Sequence, residues 1–508
     1  MRGLEGHVER IAICGSIRRG KAMCGDLDLL VGSHDGGPVA ARFVTLPEVE
    51  RVLFRGDGRV EVLLHDRQQV DLRIVAPEQF GAGLHYLTGS ALHNIALRTR
   101  ALRYGIKVSD DGLFVRDTTQ LIDPGTTEEA IFAAARLPFI PPELRENTGE
   151  IEAAAEGRLP RLVEAADLMG DLHMHTRASD GRGTAREMID AALALGHRYV
   201  AITDHSKALS VANGLDEARL LAQIRHLRAL QEEVGERIQV LAGVEVDILG
   251  DGALDLDVGV LDRCDWVIAS VHSGLDDDAT TMTDRMIRAM ESGVVDAIGH
   301  PTNRRLGERR ASALDFERLF AAAARTGVAL EINGNPHRMD LDDNACRSAR
   351  EAGVGLVINT DSHAPHHLPW QEYGLLPARR GGIAPTDVWN CAPFAAMADR
   401  RRLRKRSANA RVSVSGWEPA AELYVGKAAS AHYQADDGPD LAQDGDDANL
   451  VERLRGPLDD DLRTRLDDWM RNGGDAALEE ALSTWPGHPM ATAFSLLTAA
   501  PISPDGGP

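Results

Sequence analysis

Nine residues of this chain have the types and spacing of a metal centre. "DLHMH" places His173 and His175 two residues apart, so on an extended segment both side chains share one face. Asp180 follows in the next loop. Further along, "ITDHS" supplies His205 beside Asp204, "GVEVDI" supplies Glu245, "ASVHS" His272, "IGHP" His300, and "NTDSH" both Asp361 and His363. Mixed imidazole and carboxylate ligands fit zinc, manganese or iron better than calcium. Nine ligands suit two or three ions, with positions left for water and substrate. A lone histidine at a strand end is usually structural, and the other twelve of the 18 histidines are read that way, including His366 and His367. Six that fall in an HxH pair or at the ends of different apolar runs point to metal.

A second constellation lies near the N-terminus, in "CGSIRRGKAMCGDLDLLVGS" (Cys14 to Ser33) and "VDLRIV" from Val70. Gly15-Ser16 follows a strand, where a tight turn can offer backbone N–H groups to phosphate. Arg18 and Arg19 add positive charge beside it. Asp26 and Asp28 alternate on one strand face. Asp71, on another strand, completes a carboxylate triad able to hold two Mg²⁺. A lone DxD means little. GS, RRG, GDLD and VDLR in this order mean more.

These residues need elements to position them. From Asp171, seven apolar runs ("DLHMHT", "YVAITDHS", "IQVLAGVEVDI", "DWVIASVHS", "DAIGHP", "VALEINGN", "GLVINTDSH") alternate with helix-like segments, most ending in Gly. Alternation of this kind predicts parallel β-α units closing into a barrel or nearly so, whose strand ends converge on one face. Upstream, "RIAICGS", "DLDLLVGS", "VEVLL" and "QQVDLRIV" read as strands, "ALHNIALRTRALRYG" as a helix, and "GEIEAAAEGRLPRLVEAA" as a linker helix. The expected class is a multidomain α/β chain. A mixed β-sheet with helices is expected over 1–83 and a smaller domain over 84–150. Then come a linker (151–168), a seven-stranded barrel (169–405) and a partly helical, partly disordered tail (406–508).

Bulk properties exclude some classes. The net charge of −22 argues against a broad DNA-binding surface, since phosphate contacts need Lys and Arg. Yet carboxylates that hold ions count against net charge while serving phosphate chemistry. The charge is also uneven, with "DDGPDLAQDGDD" at Asp436 to Asp447 and "RRRLRKR" at Arg400 to Arg406. No apolar run of about 18 residues predicts a membrane span, and "MRGLEGHVER" has no signal-peptide core. Five scattered cysteines without a CxxC pair read as reduced thiols of a cytoplasmic protein.

The barrel motifs, with "EINGNP", resemble the PHP family (polymerase and histidinol phosphatase), and every ligand position is filled. The resemblance implies a distorted (β/α)7 barrel whose trinuclear site, loaded with Mn²⁺ or Zn²⁺, hydrolyses phosphate esters. Asn333 and Asn335 become candidates for substrate contact. Arg304 and Arg338 become candidates for phosphate binding, the alternative being ordinary surface arginines.

The N-terminal order resembles the palm of family X DNA polymerases, which implies a nucleotidyltransferase-type palm over 1–83 and a small thumb over 84–150. "HYLTGS" (His85 to Ser90) matches that family's Tyr-Phe-Thr-Gly-Ser segment, with Leu87 in place of Phe. The resemblance implies that Ser16, Arg19 and Gly25 contact the triphosphate alongside the Gly15 turn. Tyr86 and Gly89 would exclude ribonucleotides, and Asn94 and Arg98 would face the minor-groove side of the nascent pair. For Asn94 and Arg98 the alternative is a solvated helix face.

Joined, the two patterns resemble the bacterial and archaeal PolX family over about residues 5 to 400, including "LRENTGEIEAA" between the domains. That implies repair synthesis coupled to a manganese-dependent 3′–5′ exonuclease, with gapped or primer-template DNA, its 3′ ends and dNTPs as partners. Family members carry helix-hairpin-helix regions ahead of the palm. This chain starts a few residues before its first palm strand, so weak, poorly processive gap filling is expected, with the barrel hydrolase intact. The rivals are a histidinol-phosphatase-type phosphomonoesterase with a vestigial palm and a non-catalytic DNA-end-binding scaffold. The complete aspartate triad and ligand set oppose the scaffold.

Overall fold

The structure is a computed structural model that describes residues 2–399 apart from 5 and 7. The expected tail, 406–508, lies outside the described residues. The described residues belong to one compact unit.

The palm is a five-stranded mixed sheet of β1 (Arg10–Ile13), β2 (Asp26–Gly32), β3 (Val49–Arg55), β4 (Arg59–Leu64) and β5 (Gln69–Val75), in the order β1-β2-β5-β4-β3. Only β2 and β5 are parallel. Sequence reading found four of these strands. It missed β3, an edge strand that buries neither face, so no apolar alternation marks it.

The thumb carries helices Phe80–Thr88 and Ala91–Leu102 and a small antiparallel sheet, β6 (Ile106–Ser109), β7 (Gly112–Val115) and β8 (Leu121–Asp123). A buried ion network fastens it to the palm. Glu128 accepts from Arg145 at 2.6 Å and from Arg18 at 2.9 and 2.5 Å. Arg145 has no exposed side-chain surface.

The barrel is a parallel sheet of seven strands in sequential order: β9 (Gly170–Asp171), β10 (Tyr199–Ile202), β11 (Gln239–Asp247), β12 (Trp266–Ser270), β13 (Ala297–Ile298), β14 (Ala329–Asn333) and β15 (Leu356–Asn359). Past their ends Met174 and Ser362 form a parallel bridge, and His175 N–H donates to the Ser362 carbonyl at 2.8 Å, which nearly closes the ring. The HxH pair therefore lies just beyond β9 rather than within it, still in extended backbone. Alternate strand residues fill the interior: Tyr199 and Ala201, Trp266 and Ile268, Ala329, and Val357. Their neighbours Val200 and Ile202 or Leu330 and Ile332 pack outward against helices. Five of those helices start on a side-chain cap, from Thr184, Asp216, Asp278, Asp315 and Asp342.

The expected linker helix stops at Ala155, short of Gly157 and Pro160. Beyond it the chain is packed rather than free. Leu162 joins the thumb core, and Val163 joins the barrel core. The barrel helix Gln371–Arg380 reaches back as well. Arg379 pairs with Glu143 at 2.8 Å, while Arg380 donates to Glu146 at 2.9 Å and to the Arg19 carbonyl at 2.8 Å.

Removing one partner of a buried ion network leaves an uncompensated charge. Glu128→Ala is expected to lower the free energy of unfolding by about 3 kcal/mol, read from urea denaturation followed by circular dichroism. A loss below about 1 kcal/mol would mean that the network does not fasten palm to thumb.

Candidate metal centres

In the palm, β2 and β5 run parallel with Asp28 opposite Asp71, and Asp26 lies two residues earlier on the same face. Asp71 accepts from Arg59 at 3.1 Å and from Gln69 at 3.0 Å. Burial, then the like charges of Asp26 and Asp71, push the Asp28 carboxyl up to about 6. Carboxylates that repel one another this way call for cations, and so the residues fit divalent ions. Gly15 is required by close approach. Its φ is +61°, and a Cβ there would meet the Asp28 Oδ2 at 1.9 Å.

The expected nucleotide contacts fare unequally. Arg18 does not add charge to the turn, because Glu128 and Thr88 take its guanidinium. Arg19 donates to Glu146 at 3.0 Å and to the Thr88 carbonyl at 2.5 Å. The Gly25 carbonyl accepts from Gln68 at 3.1 Å. The Ser16 carbonyl accepts from Lys21 N–H at 3.0 Å, and Gly89 lies beside Arg19, whose Nη1 is 3.2 Å from where a Gly89 Cβ would be. Tyr86 lines a cavity of about 440 Å³ with Phe54, Arg59 and Arg73, and the Arg98 guanidinium lies 5.3 Å over its ring. Asn94 does not lie on a solvated helix face. It is buried, with its amide donating to the Tyr86 carbonyl at 2.9 Å.

In the barrel all nine expected ligands converge. Glu245 is central: its carboxylate lies 2.7 Å from His205, 3.1 Å from His300, 3.4 Å from His173, and 3.6 Å from both His175 and His272. Asp361 is 3.1 Å from His175, and Asp180 is 3.4 Å from His363. Three overlapping groups have ligand atoms within 4.8 Å of one another. They are His175, Asp180, His205 and His363; His173, His175 and Asp361; and His205, Glu245 and His272. The Nε2 of His173 is buried without a hydrogen-bond partner and faces this cluster. Orphaned nitrogen among carboxylates is what a metal ion would satisfy.

The electrostatics agree. Against burial, His205, His173 and His272 hold Glu245 well below the usual carboxylate range. Against burial, Asp180 and Asp361 raise His363 to about 9. Burial and the charges of His363 and His205 press His175 down to about 3.

Sequence reading missed the layer behind the ligands. Glu331 is fully buried and accepts from His173 Nδ1 at 2.8 Å, His300 N–H at 2.7 Å, Asn333 at 3.0 Å and Asn359 at 2.9 Å. Asp247 holds His272 Nδ1 at 2.8 Å. Both share inward parity with recognised residues, Asn333 and Glu245, two positions along the same strand. Asp204 is no ligand. It fixes the first loop through Thr176 and Ser179, each at 2.7 Å. Asn333 belongs to this layer too, being fully buried against Glu331 and Asp361. Asn335 and Arg338 line the open cavity. Arg304 does not. Its guanidinium is spent on the carbonyls of Arg338 and Met339 and lies near Asp342.

Known proteins resemble both halves. The DNA polymerase beta thumb family matches residues 83–146, and the PHP domain family matches 171–335. The "DNA polymerase/3′-5′ exonuclease PolX" of Bacillus subtilis (strain 168) is 39% identical over 386 residues, 76% of this chain and 67% of that protein. A "Probable phosphatase" of Thermoanaerobacter sp. (strain X514) is 30% identical over 234 residues, 44% of this chain and 90% of that protein. Another, of Shewanella sp. (strain ANA-3), is 33% identical over 208 residues, covering 39% and 77%.

Asp28 titrates higher in the fold than its ordinary 3.8, so the metal-free fold loses stability as pH rises from about 4 to 6. In EDTA at pH 7.5, Asp28→Asn is expected to stabilise the protein by about 1 kcal/mol in thermal melts, with no gain below pH 4. Equal melts at both pH values would show that the carboxylates do not strain the metal-free palm. In the barrel, His363 holds a proton at neutral pH that a metal must displace. Mn²⁺ titration at pH 7.5 in buffers of different ionisation enthalpy is expected to report release of about one proton or more; no release would contradict the ligand assignment.

Proposed function

The chain belongs to the PolX family of DNA polymerase/3′-5′ exonucleases, and we propose that its two centres divide nucleotidyl transfer and 3′-end hydrolysis between them. The reading is carried by one observation: a compact unit contains both the Asp26, Asp28 and Asp71 triad and the nine-ligand barrel cluster.

In the palm, Asp26 and Asp28 would hold Mg²⁺, and Asp71 would assist removal of the primer 3′-hydroxyl proton. The turn at Gly15 and Ser16, with Arg19 and Gly25, would receive the dNTP triphosphate. Arg19 has to leave Glu146 to do so. Tyr86 and Gly89 would border the sugar, with Asn94 fixing Tyr86 from behind and Arg98 beside its ring.

In the barrel, His173, His175, Asp180, His205, Glu245, His272, His300, Asp361 and His363 would hold two or three Mn²⁺ or Zn²⁺. Such ions, when bound, supply Lewis acidity for attack of water on a phosphodiester. Water oxygen joins the terminal phosphorus, the P–O3′ bond breaks, and the preceding nucleotide leaves with a 3′-hydroxyl. Glu331 and Asp247 keep His173 and His272 in one tautomer, each with Nε2 toward the cluster. The substrates would be gapped or primer-template DNA, its 3′ ends, and dNTPs. Among the described residues no helix is long and apolar enough to cross a membrane.

The test uses labelled primer-template with dNTPs and Mg²⁺ or Mn²⁺. Extension and stepwise 3′ shortening are both expected. Alanine at Asp26 and Asp28 should abolish extension alone, and alanine at His173 and His175 shortening alone, each by about 10³-fold or more. Turnover of histidinol phosphate or another monoester, with neither DNA reaction, would refute the reading.

A further inference from the structure

The mouth of the barrel gathers positive charge that the metal ligands leave unused. A cavity of about 540 Å³ is lined by the ligands Asp180, His205, His272, His300, Asp361 and His363, and also by Arg305, Arg309 and Arg338. The three guanidiniums are near enough to repel, Arg309 feeling both of the others. Their counter-charges are few. Arg305 pairs with Glu308 at 3.2 Å, and Arg338 approaches Asp361 at 3.5 Å, but Asp361 is already shared with His173 and His175. Arg309 is aimed by two hydrogen bonds to the Asn303 carbonyl, at 3.0 and 2.8 Å, and the carboxylates that act on it, Glu308 (already paired with Arg305) and Asp276, weigh less than the two guanidiniums.

Two donors in this lining are idle. Arg338 Nη1 and Asn303 Nδ2 are buried without hydrogen-bond partners, and Asn303 is only 2% exposed. Buried polar groups are normally satisfied, and like charges are gathered at a cost unless an anion joins them. The lining also includes Leu209 and Val211, the latter 90% exposed. An apolar patch beside cations suits a nucleobase next to its phosphates rather than a bare polyphosphate.

We propose that Arg305, Arg309, Arg338 and Asn303 form a second phosphate subsite, which takes the phosphodiester one nucleotide inward from the scissile bond of a DNA 3′ end. The subsite rests on the assignment of the barrel to 3′-end hydrolysis and deepens it. It makes the barrel's substrate a chain with at least two phosphates, and so separates an exonuclease from a monoesterase.

The test compares a six-nucleotide oligothymidylate with the p-nitrophenyl ester of thymidine 5′-monophosphate, which has one phosphate. With Mn²⁺, Arg305→Ala/Arg309→Ala is expected to lower kcat/KM at least tenfold more on the six-mer than on the ester. In EDTA, the same variant should bind fluorescent six-mer at least tenfold more weakly, with a salt slope reduced by about one to two. Arg305→Lys/Arg309→Lys should recover most of this, which a folding defect would not allow. Equal losses on both substrates, or an unchanged salt slope, would overturn the subsite alone. Tripolyphosphate that displaced the six-mer as well as unlabelled six-mer does would also overturn it. Wild-type protein that fails to shorten the six-mer would overturn the exonuclease assignment and the subsite with it.

Discussion

A buried carboxylate has to be answered by its neighbours, because no water reaches it. Glu245 is 1% exposed and has five imidazoles within 3.6 Å. Those imidazoles come from three strand ends and from the extended segment after β9, so the arrangement exists only if the strands arrive in register. The barrel meets this requirement through alternation. Each strand fills the interior with apolar side chains at its start, Leu241, Trp266, Ala329 or Val357, and with polar ones of the same parity at its end. The apolar half supplies the stability that an array of buried charges does not supply for itself.

The layer behind the ligands arises from the same constraint. An imidazole free to flip presents either nitrogen, and a site of six needs each one fixed. Glu331 and Asp247 fix His173 and His272, and the Asp361 carbonyl fixes His363 Nδ1 at 2.8 Å. The palm is arranged differently. Asp26 is exposed and Asp28 and Asp71 are half-buried, so solvent moderates their repulsion.

Much of this was legible in the sequence. Period-two spacing and apolar runs located the seven barrel strands and four palm strands, and the nine candidate ligands read from the motifs lie together in one cluster. The features that escaped have identifiable causes. Glu331 lay inside an apolar run, where a carboxylate looks like noise until parity is counted from Asn333. The edge strand β3 buries nothing and so leaves no pattern. Arg304 and Arg305 are neighbours, and no one-dimensional signal says that the first braces the loop carbonyls and the second opens on the cavity. Nor does any such signal say that the charge of Arg18 goes to Glu128 or that the Asn94 amide donates to the Tyr86 carbonyl.

The connection between palm and barrel bears on how such a protein can be taken apart. Leu162 and Val163 are consecutive, yet one belongs to the thumb core and the other to the barrel core. Arg380 crosses the same boundary to a carboxylate that also holds Arg19. A protease or a cloning boundary placed anywhere near here would strip an apolar plug from one half and strand a cation on the other. The two catalytic halves are therefore poor candidates for independent excision, and rearrangements that shuffle barrel-type nucleases onto other polymerases would have to carry this seam along with them.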